Sequence, residues 1–199
     1  MNTITLFKKN KLVYGVGVND ADYPVHKKEN GKIVWRCPYY RKWAGMLERA
    51  HSDKFKKKRP TYEGVTVCEE WWSFMRFRAW MVEQDWKYKE LDKDILSQGD
   101  KVYSPDTCVF VDGVVNTFLN DQVAARGEWP IGVCLFERDQ KFMSYCRNPF
   151  TKKKEHLGLF NCPNQAHLAW KKRKHELACQ LADIQTDQRV ADALRARYN

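Results

Sequence analysis

The stretch that most constrains the fold runs from Glu69 to Gln84 and reads EEWWSFMRFRAWMVEQ. Drawn as a helix, it is apolar around most of its circumference, with Arg76 and Arg78 interposed. A helix without a broad polar face has to be surrounded by other elements of the protein. We therefore predict a buried helix here, at the centre of the core of a first domain.

Other elements of this domain follow from periodicity and turn residues. Pro38 is placed to begin a helix, and apolar residues at helical spacing after it predict one apolar face; they are Tyr40, Trp43, Leu47 and Ala50. The runs LVYGVGV (12–18) and IVWRC (33–37) predict short strands, and TYEGVTVC (61–68) predicts a turn and a strand.

The charge balance favours a polyanionic partner. The 199 residues include 35 Lys and Arg against 25 Asp and Glu, a formal charge of +10. This excess indicates nucleic acid rather than a membrane surface. One cationic run, SDKFKKKRP (52–60), predicts either a solvated loop or a contact with the phosphate backbone, and the second is preferred beside the site described below; its cations include Lys56, Lys57, Lys58 and Arg59.

Targeting signals and the use of cysteine indicate the cellular compartment in which the protein is expected. No apolar run reaches the roughly 18–20 residues of a membrane span, and the opening residues do not resemble a secretory signal. The seven cysteines are scattered without a CxxC pair, which indicates reduced thiols and a cytoplasmic protein. Cys37, Cys68 and Cys108 with His51 could be arranged around zinc, but their long spacing favours structural thiols.

A second unit begins after a break in the pattern, where residues 121–127 predict a linker. The runs WPIGVCLF (129–136), KFMSYCRN (141–148) and HLGLF (156–160) predict three short strands. A helix through AHLAWKKRKHELACQLAD follows, and a short basic helix ends the chain. The predicted class is α+β, with a first domain over 1–120, a three-stranded antiparallel sheet covered by a helix over 128–182, and a terminal helix over 183–199.

Cations on this sheet are candidate DNA contacts. A three-stranded sheet that lies in the major groove can send alternate side chains to base edges. Arg138 and Arg147 are the candidate guanine readers, and Lys152, Lys153 and Lys154 the candidate phosphate contacts. A basic face that binds without sequence preference is the open alternative. Three aromatic residues are predicted to be core rather than base-stacking groups: Trp129, Phe142 and Trp170.

The stretch LDKDILSQGDKVYSPDTCVFV (91–111) predicts a hairpin that carries a candidate metal site. Asp92 would end its first strand, Gly99 would turn the chain, and Asn116 would open the next helix. A carboxylate and an amide oxygen are ligands that hard divalent cations such as Mg²⁺ accept. The alternative is a solvated hairpin corner, with Asn116 serving as a helix cap.

These motifs, in this order, resemble the HNH (ββα-metal) nucleases common in bacteriophages. The resemblance covers about residues 39–120 and includes the Trp-x-x-Met-x-x-Arg helix at Trp43, the TYEGVTVC strand, the LDKDI corner and YSPDTCVFV. The second unit, with LGLF and the following AHLAW, is similar to the three-stranded DNA-binding domain of plant ethylene-response factors. Phage homing endonucleases often append that domain.

The resemblance implies a DNA endonuclease that uses one Mg²⁺ or Mn²⁺ ion. Asp92 and Asn116 fall on its metal ligands, and Lys93 falls where the family has its general-base His. A Lys at its usual pKa is charged and cannot take a proton from water, so it would instead stabilise charge on the phosphate. The base would then be His51, Tyr103 or a metal-bound hydroxide. Thr107 replaces the Asn that ties the hairpin loop in the family.

Other functional classes remain open at this stage. A catalytically degenerate protein of the same fold would bind duplex DNA without cutting it. A phage protein that binds and inhibits a host enzyme through its charged surface is a third class, and it would work in the host cytoplasm. The sequence leaves open whether the chain forms a homodimer.

Overall fold

A computed structural model describes residues 11–97, 99–120 and 127–198 of the chain. It combines helices with several small sheets, which confirms the predicted α+β class. The helices are α1 Pro38–His51, α2 Asp53–Lys58, α3 Phe74–Val82, α4 Gly113–Leu119, α5 Pro163–Asp183 and α6 Gln188–Ala196. The strands are β1 His26–Glu29, β2 Lys32–Arg36, β3 Thr66–Val67, β4 Glu90–Asp92, β5 Val102–Tyr103, β6 Val109–Val111, β7 Val133–Phe136, β8 Lys141–Arg147 and β9 Lys154–Phe160.

The chain divides into two compact units, Met1–Phe110 and Val111–Asn199. The sequence placed the break later, at 121–127, and nearly all of that segment lies outside the described residues. The difference concerns α4, which was predicted to close the first domain. In the structure α4 packs within the second unit, because the Nζ of Lys174 donates to the carbonyl of Phe118 at 2.6 Å and the Phe118 ring lies 6.0 Å from that of Tyr198.

The apolar stretch 69–84 forms the core of the first unit, as predicted, but not as one helix. It begins as a 3₁₀ turn, Glu69–Trp72, and restarts as α3. The reason is Ser73, whose backbone is extended and whose hydroxyl accepts the N–H of Arg76 at 3.1 Å, so that it caps a new helix. Trp71 and Phe74 are fully buried on either side of this break.

Helix α1 covers this core and confirms the predicted apolar face. Trp43 and Leu47 are fully buried. The Trp43 indole N–H donates to the carbonyl of Trp71 at 2.7 Å, so the ring satisfies its one polar atom inside the core. Tyr40 is half-buried and packs its ring on Phe74 at 5.3 Å.

Two local predictions for the first unit are wrong. Residues 12–18 form a tight turn rather than a strand, with isolated bridges from Val13 to Gly17 and from Val18 to Ser73. A Cβ at Gly17 would collide with the side chain of Trp43, so this turn is in close contact with α1. The basic run 52–60 is not a loop, because Asp53–Lys58 is helical and the Ser52 hydroxyl accepts the N–H of Phe55 at 3.3 Å as its cap.

The second unit confirms the predicted antiparallel sheet, with strand order β7-β8-β9. Helix α5 covers one face of it, and α6 packs on α5 through Val190, Ala191 and Leu194. The inner face of β8 is marked by Ser144 and Cys146, which are both buried. In the part of the chain that the structure describes, no helix has the length and apolar character to span a membrane.

Gly132, just before β7, lies in close contact with α5. Its φ is +80°, and a Cβ built there would collide with the side chain of Trp170. Trp170 itself is 7% exposed and packs its ring 5.9 Å from that of Tyr198, which confirms that it belongs to the core. Glycine is therefore needed both for the backbone angle and for the close approach.

We predict that Gly132→Ala lowers the free energy of unfolding by about 2–4 kcal/mol, since it adds backbone strain and overpacks Trp170. The midpoint of urea denaturation measures the effect. Gly127→Ala is the matched control, because a Cβ there meets open space. Equal midpoints for the two variants would contradict the close contact at Trp170.

Candidate functional site

The predicted metal-binding corner at Asp92 is built from strands of two different small sheets rather than from one hairpin. Strand β4, which ends at Asp92, pairs with β6, whereas β5 pairs in parallel with β3. The predicted return strand VYSPDTCVFV is therefore interrupted between Tyr103 and Val109. The hairpin prediction is corrected here: its second half contributes one strand to each sheet.

The interruption is caused by a turn that Thr107 closes. The Thr107 hydroxyl donates to the carbonyl of Val102 at 2.6 Å and accepts the N–H of Ser104 at 3.1 Å. In return the N–H of Thr107 donates to the Ser104 hydroxyl at 3.3 Å. These bonds provide partners for the Val102 carbonyl and for the N–H groups of Ser104 and Thr107 at the point where the strand is interrupted. Thr107 thus ties the loop, which is the role that the resemblance assigns to an Asn at this position.

Asp92 is held at the end of β4 by its own loop. Its Oδ1 accepts the N–H groups of Asp94 at 2.8 Å and Ile95 at 2.9 Å. Burial raises the pKa of Asp92, and these two N–H bonds act against that rise. Both backbone bonds go to Oδ1, so Oδ2 is the oxygen with which Asp92 would take a cation.

Lys93 is one of the few charged residues that are buried, with 6% of its surface exposed. Its ammonium pairs with the Asp94 carboxylate and donates to the carbonyl of Asp100 at 3.2 Å. It also lies 6.0 Å from the centre of the Tyr103 ring. The loop therefore neutralises this cation internally, and a phosphate could use it only by competing with Asp94.

Tyr103 is suited to positioning rather than to proton transfer. It is 2% exposed, and its hydroxyl accepts the Nε–H of Arg49 at 2.9 Å. Burial raises the pKa of Tyr103 far above its ordinary value, so the phenol stays protonated at neutral pH and is disfavoured as a base. Arg49 was not among the predicted site residues, although it is the Arg of the Trp-x-x-Met-x-x-Arg pattern.

His51, the other candidate base, ends α1. Burial, and then the charge of Lys56, lower its pKa, which keeps the imidazole neutral near pH 7 and able to accept a proton. Its Nε2 is buried and has no hydrogen-bond partner among the residues described. Within that same part of the chain, no hydrogen bond links His51 to Lys93 or Tyr103.

Asn116 lies inside α4, so the predictions that it opens or caps this helix are wrong. The residues at the two caps are Asp112 and Asn120, and the N–H of Asn116 already donates to the carbonyl of Asp112 at 3.1 Å. Asn116 is half-buried and belongs to the second unit, whereas Asp92 and Lys93 belong to the first.

The donor chemistry of the predicted pair fits Mg²⁺ or Mn²⁺. Asp92 offers a carboxylate oxygen and Asn116 an amide oxygen, both hard ligands. Within the described ranges, no cluster of three or more His, Cys, Asp or Glu is placed to hold a metal. Of the thiols that were weighed for zinc, Cys37 and Cys108 are buried and Cys68 is half-buried, and burial raises the pKa of Cys108 to about 12 and also raises that of Cys68.

The outer face of the β7-β8-β9 sheet, away from α5, is cationic. Register places Arg147 opposite Lys154, and Lys141 shares their face by strand alternation. The Lys154 ammonium lies 3.3 Å from the centre of the Tyr145 ring on that face. The strands β7, β8 and β9 are described throughout, and Glu155 is the one carboxylate in them. Glu155 faces α5, where it pairs with Arg173 at 2.7 Å.

The remaining predicted DNA contacts lie at turns of the second unit and in helix α2. Arg138 is in the 3₁₀ turn between β7 and β8, where it pairs with Asp139 at 2.9 Å and its guanidinium carbon lies 5.1 Å from the centre of the Phe136 ring. Lys152 and Lys153 are exposed in the turn before β9. Lys57, Lys58 and Arg59 are exposed at the end of α2, and Lys56 is half-buried there.

Comparisons with models of protein families, with curated proteins and with solved structures find no match to this chain.

We predict that Thr107→Val lowers the free energy of unfolding by about 1–3 kcal/mol, because it leaves the Val102 carbonyl and the Ser104 N–H without their partner. Thr107→Ser keeps the hydroxyl and is the control, expected to cost less. Chemical denaturation of the two variants measures the difference. A Val variant as stable as the Ser variant would show that the hydroxyl does not hold the turn.

Proposed function

We propose that this chain is a DNA-binding endonuclease of the HNH type, which hydrolyses phosphodiester bonds with one Mg²⁺ or Mn²⁺ ion. The observation that carries the DNA-binding part is the outer face of the β7-β8-β9 sheet, with Lys141, Arg147 and Lys154 and without a carboxylate. The cleavage part rests on the resemblance and on the corner at Asp92.

The sheet face suits duplex DNA in charge and in shape. A small sheet can lie in the major groove, where alternate side chains reach base edges and flanking cations meet phosphates. Arg147 is exposed at the end of β8, as a guanine-reading side chain requires. Arg138 reaches the same sheet from its turn, but it would have to exchange Asp139 for a base. The cations of α2 remain predicted phosphate contacts.

The cleavage part is supported by the order of elements around Asp92. Strand β4 ends at Asp92 and pairs with β6, and α4 with Asn116 follows β6 along the chain. The resemblance assigns Asp92 and Asn116 as the ligands of the ion, which when bound would polarise the scissile phosphate. Of the candidate bases His51 has the suitable charge state, and Arg49 keeps Tyr103 in place beside Lys93.

A DNA-binding protein that does not cut is the second candidate, and one observation favours it. Lys93 stands where the family has its general base, yet it is buried and paired with Asp94. A cation in this position neither accepts a proton nor meets a phosphate without breaking that pair. Binding and cleavage therefore have to be measured separately.

For binding, we predict that K141Q/R147Q/K154Q weakens the affinity for duplex DNA and reduces the dependence of log K on log salt by up to about 0.9 for each lost phosphate contact. Titration at several salt concentrations measures the slope. The control R76Q/K87Q/K172Q removes the same charge from exposed positions on other surfaces. Equal slopes for the two triple variants would refute the sheet face as the interface.

For cleavage, we predict that the protein cuts supercoiled plasmid with Mg²⁺ or Mn²⁺ and not with EDTA. Asp92→Ala should lower the rate by more than about 100-fold, as expected for loss of a ligand, while DNA affinity stays nearly unchanged. Asp85→Ala, which removes an exposed carboxylate elsewhere in the first unit, is the control.

Lys93→His sharpens the cleavage test, because it introduces a group whose pKa suits proton transfer at neutral pH. A faster variant would mean that Lys93 replaced a base. Retained DNA binding without cleavage by the wild type or any variant would support the second candidate. Absence of DNA binding would overturn both and leave the class that binds a host protein.

A further inference from the structure

The hairpin formed by β1 and β2 has no role in the function proposed above, and it stands out by its exposure. Every residue in both strands is exposed. Three consecutive apolar residues of β2 are also exposed: Ile33 at 45%, Val34 at 53% and Trp35 at 43%. A two-stranded hairpin is marginally stable by itself, and large apolar side chains are costly to leave in water. The hairpin therefore has the character of a surface that a partner covers.

The turn and register of this hairpin are well defined. Asn30 and Gly31 both have positive φ, +49° and +75°, which is the two-residue turn that matches strand twist. The register then shifts, so that Lys27 lies opposite Trp35 and Lys28 opposite Ile33, with Val34 as the extra residue.

The cations of the hairpin are distributed over both faces. By strand alternation Lys27, Lys32 and Trp35 lie on one face, and Lys28, Arg36 and Ile33 on the other. The Lys27 ammonium lies 5.9 Å from the Trp35 ring. Four Lys and Arg stand against one carboxylate, Glu29, in the two strands.

This distribution identifies the kind of partner. A ribbon that docks flat on a protein would have one apolar face and one polar face. A ribbon in a DNA groove meets phosphates on both walls, so cations on both faces are favourable. The major groove, about 12 Å wide, admits a two-stranded ribbon. The net positive charge of the hairpin agrees with a polyanion.

We propose that the β1–β2 hairpin is a second DNA-contacting element, a two-stranded ribbon that lies in a groove of duplex DNA with Lys27, Lys28, Lys32 and Arg36 on the phosphates. It rests on the proposed DNA binding and extends it from the sheet of the second unit to the first unit. Trp35 and Ile33 make apolar contact with sugars and base edges inside the groove.

The experiment compares full-length K27Q/K28Q/K32Q/R36Q with R41Q/R76Q/K87Q/K172Q, which removes equal charge from exposed positions on other elements. We expect the hairpin variant to reduce the salt slope for a short duplex by about 0.9 per contact, up to about 3–4 in total. Trp35→Ala should lower affinity without changing the slope, because the ring is neutral. Thermal unfolding of each variant checks that the exposed changes leave the fold intact.

The outcomes separate this inference from the proposed function. If the hairpin variant keeps the wild-type slope while K141Q/R147Q/K154Q weakens binding, the hairpin proposal is overturned and the sheet face stands. Equal losses in the hairpin variant and its control would also overturn it, as an effect of net charge. If the wild type does not bind DNA, both proposals fail. If Trp35→Ala dissociates an oligomer in sedimentation while the hairpin variant binds DNA normally, the hairpin is a protein interface instead.

Discussion

The hydrogen bond from the Trp43 indole to the carbonyl of Trp71 is the contact on which the first unit depends. It joins the middle of α1 to the 3₁₀ turn that precedes α3, inside a fully buried aromatic cluster. The Phe74 ring lies 5.4 Å from that of Trp43 and fixes the start of α3 as well. Because the bond is buried, losing either partner would leave an unsatisfied polar group in the core. Helix α1 also packs against the short strand β3 of this unit.

The Asp92 corner buries charged side chains and pairs each of them locally. Its loop buries Lys93 and holds Asp92 through backbone N–H groups, so each charge has a local partner before any ligand arrives. Such pairing stabilises the loop but makes the lysine costly to redirect, because Lys93 is buried and would lose its partner, although the Asp94 carboxylate itself is exposed. The same geometry that orders the corner thus opposes a direct role for Lys93 on phosphate.

Positive charge is placed on exposed elements of both units. The β1–β2 hairpin and the α2 helix lie in the first unit, and the β7-β8-β9 sheet face lies in the second. Among the residues that the structure describes, the two buried cations have internal partners, Asp94 for Lys93 and the Phe118 carbonyl for Lys174. The proposed DNA contacts are all on exposed elements, and salt dependence is the measurement that tests them.

The sequence by itself determined the elements whose signal is local. The apolar period of α1, the three strands of the second sheet and the helix after them were all predicted, because side-chain periodicity decides which face is buried. Tertiary structure decided what depends on distant partners. The break at Ser73, the split of the return strand at Thr107 and the packing of α4 in the second unit each follow from hydrogen bonds or burial that no periodicity encodes. Likewise, the charge of Lys93 was evident from its side chain, but its burial beside Asp94 came only from the loop that folds over it.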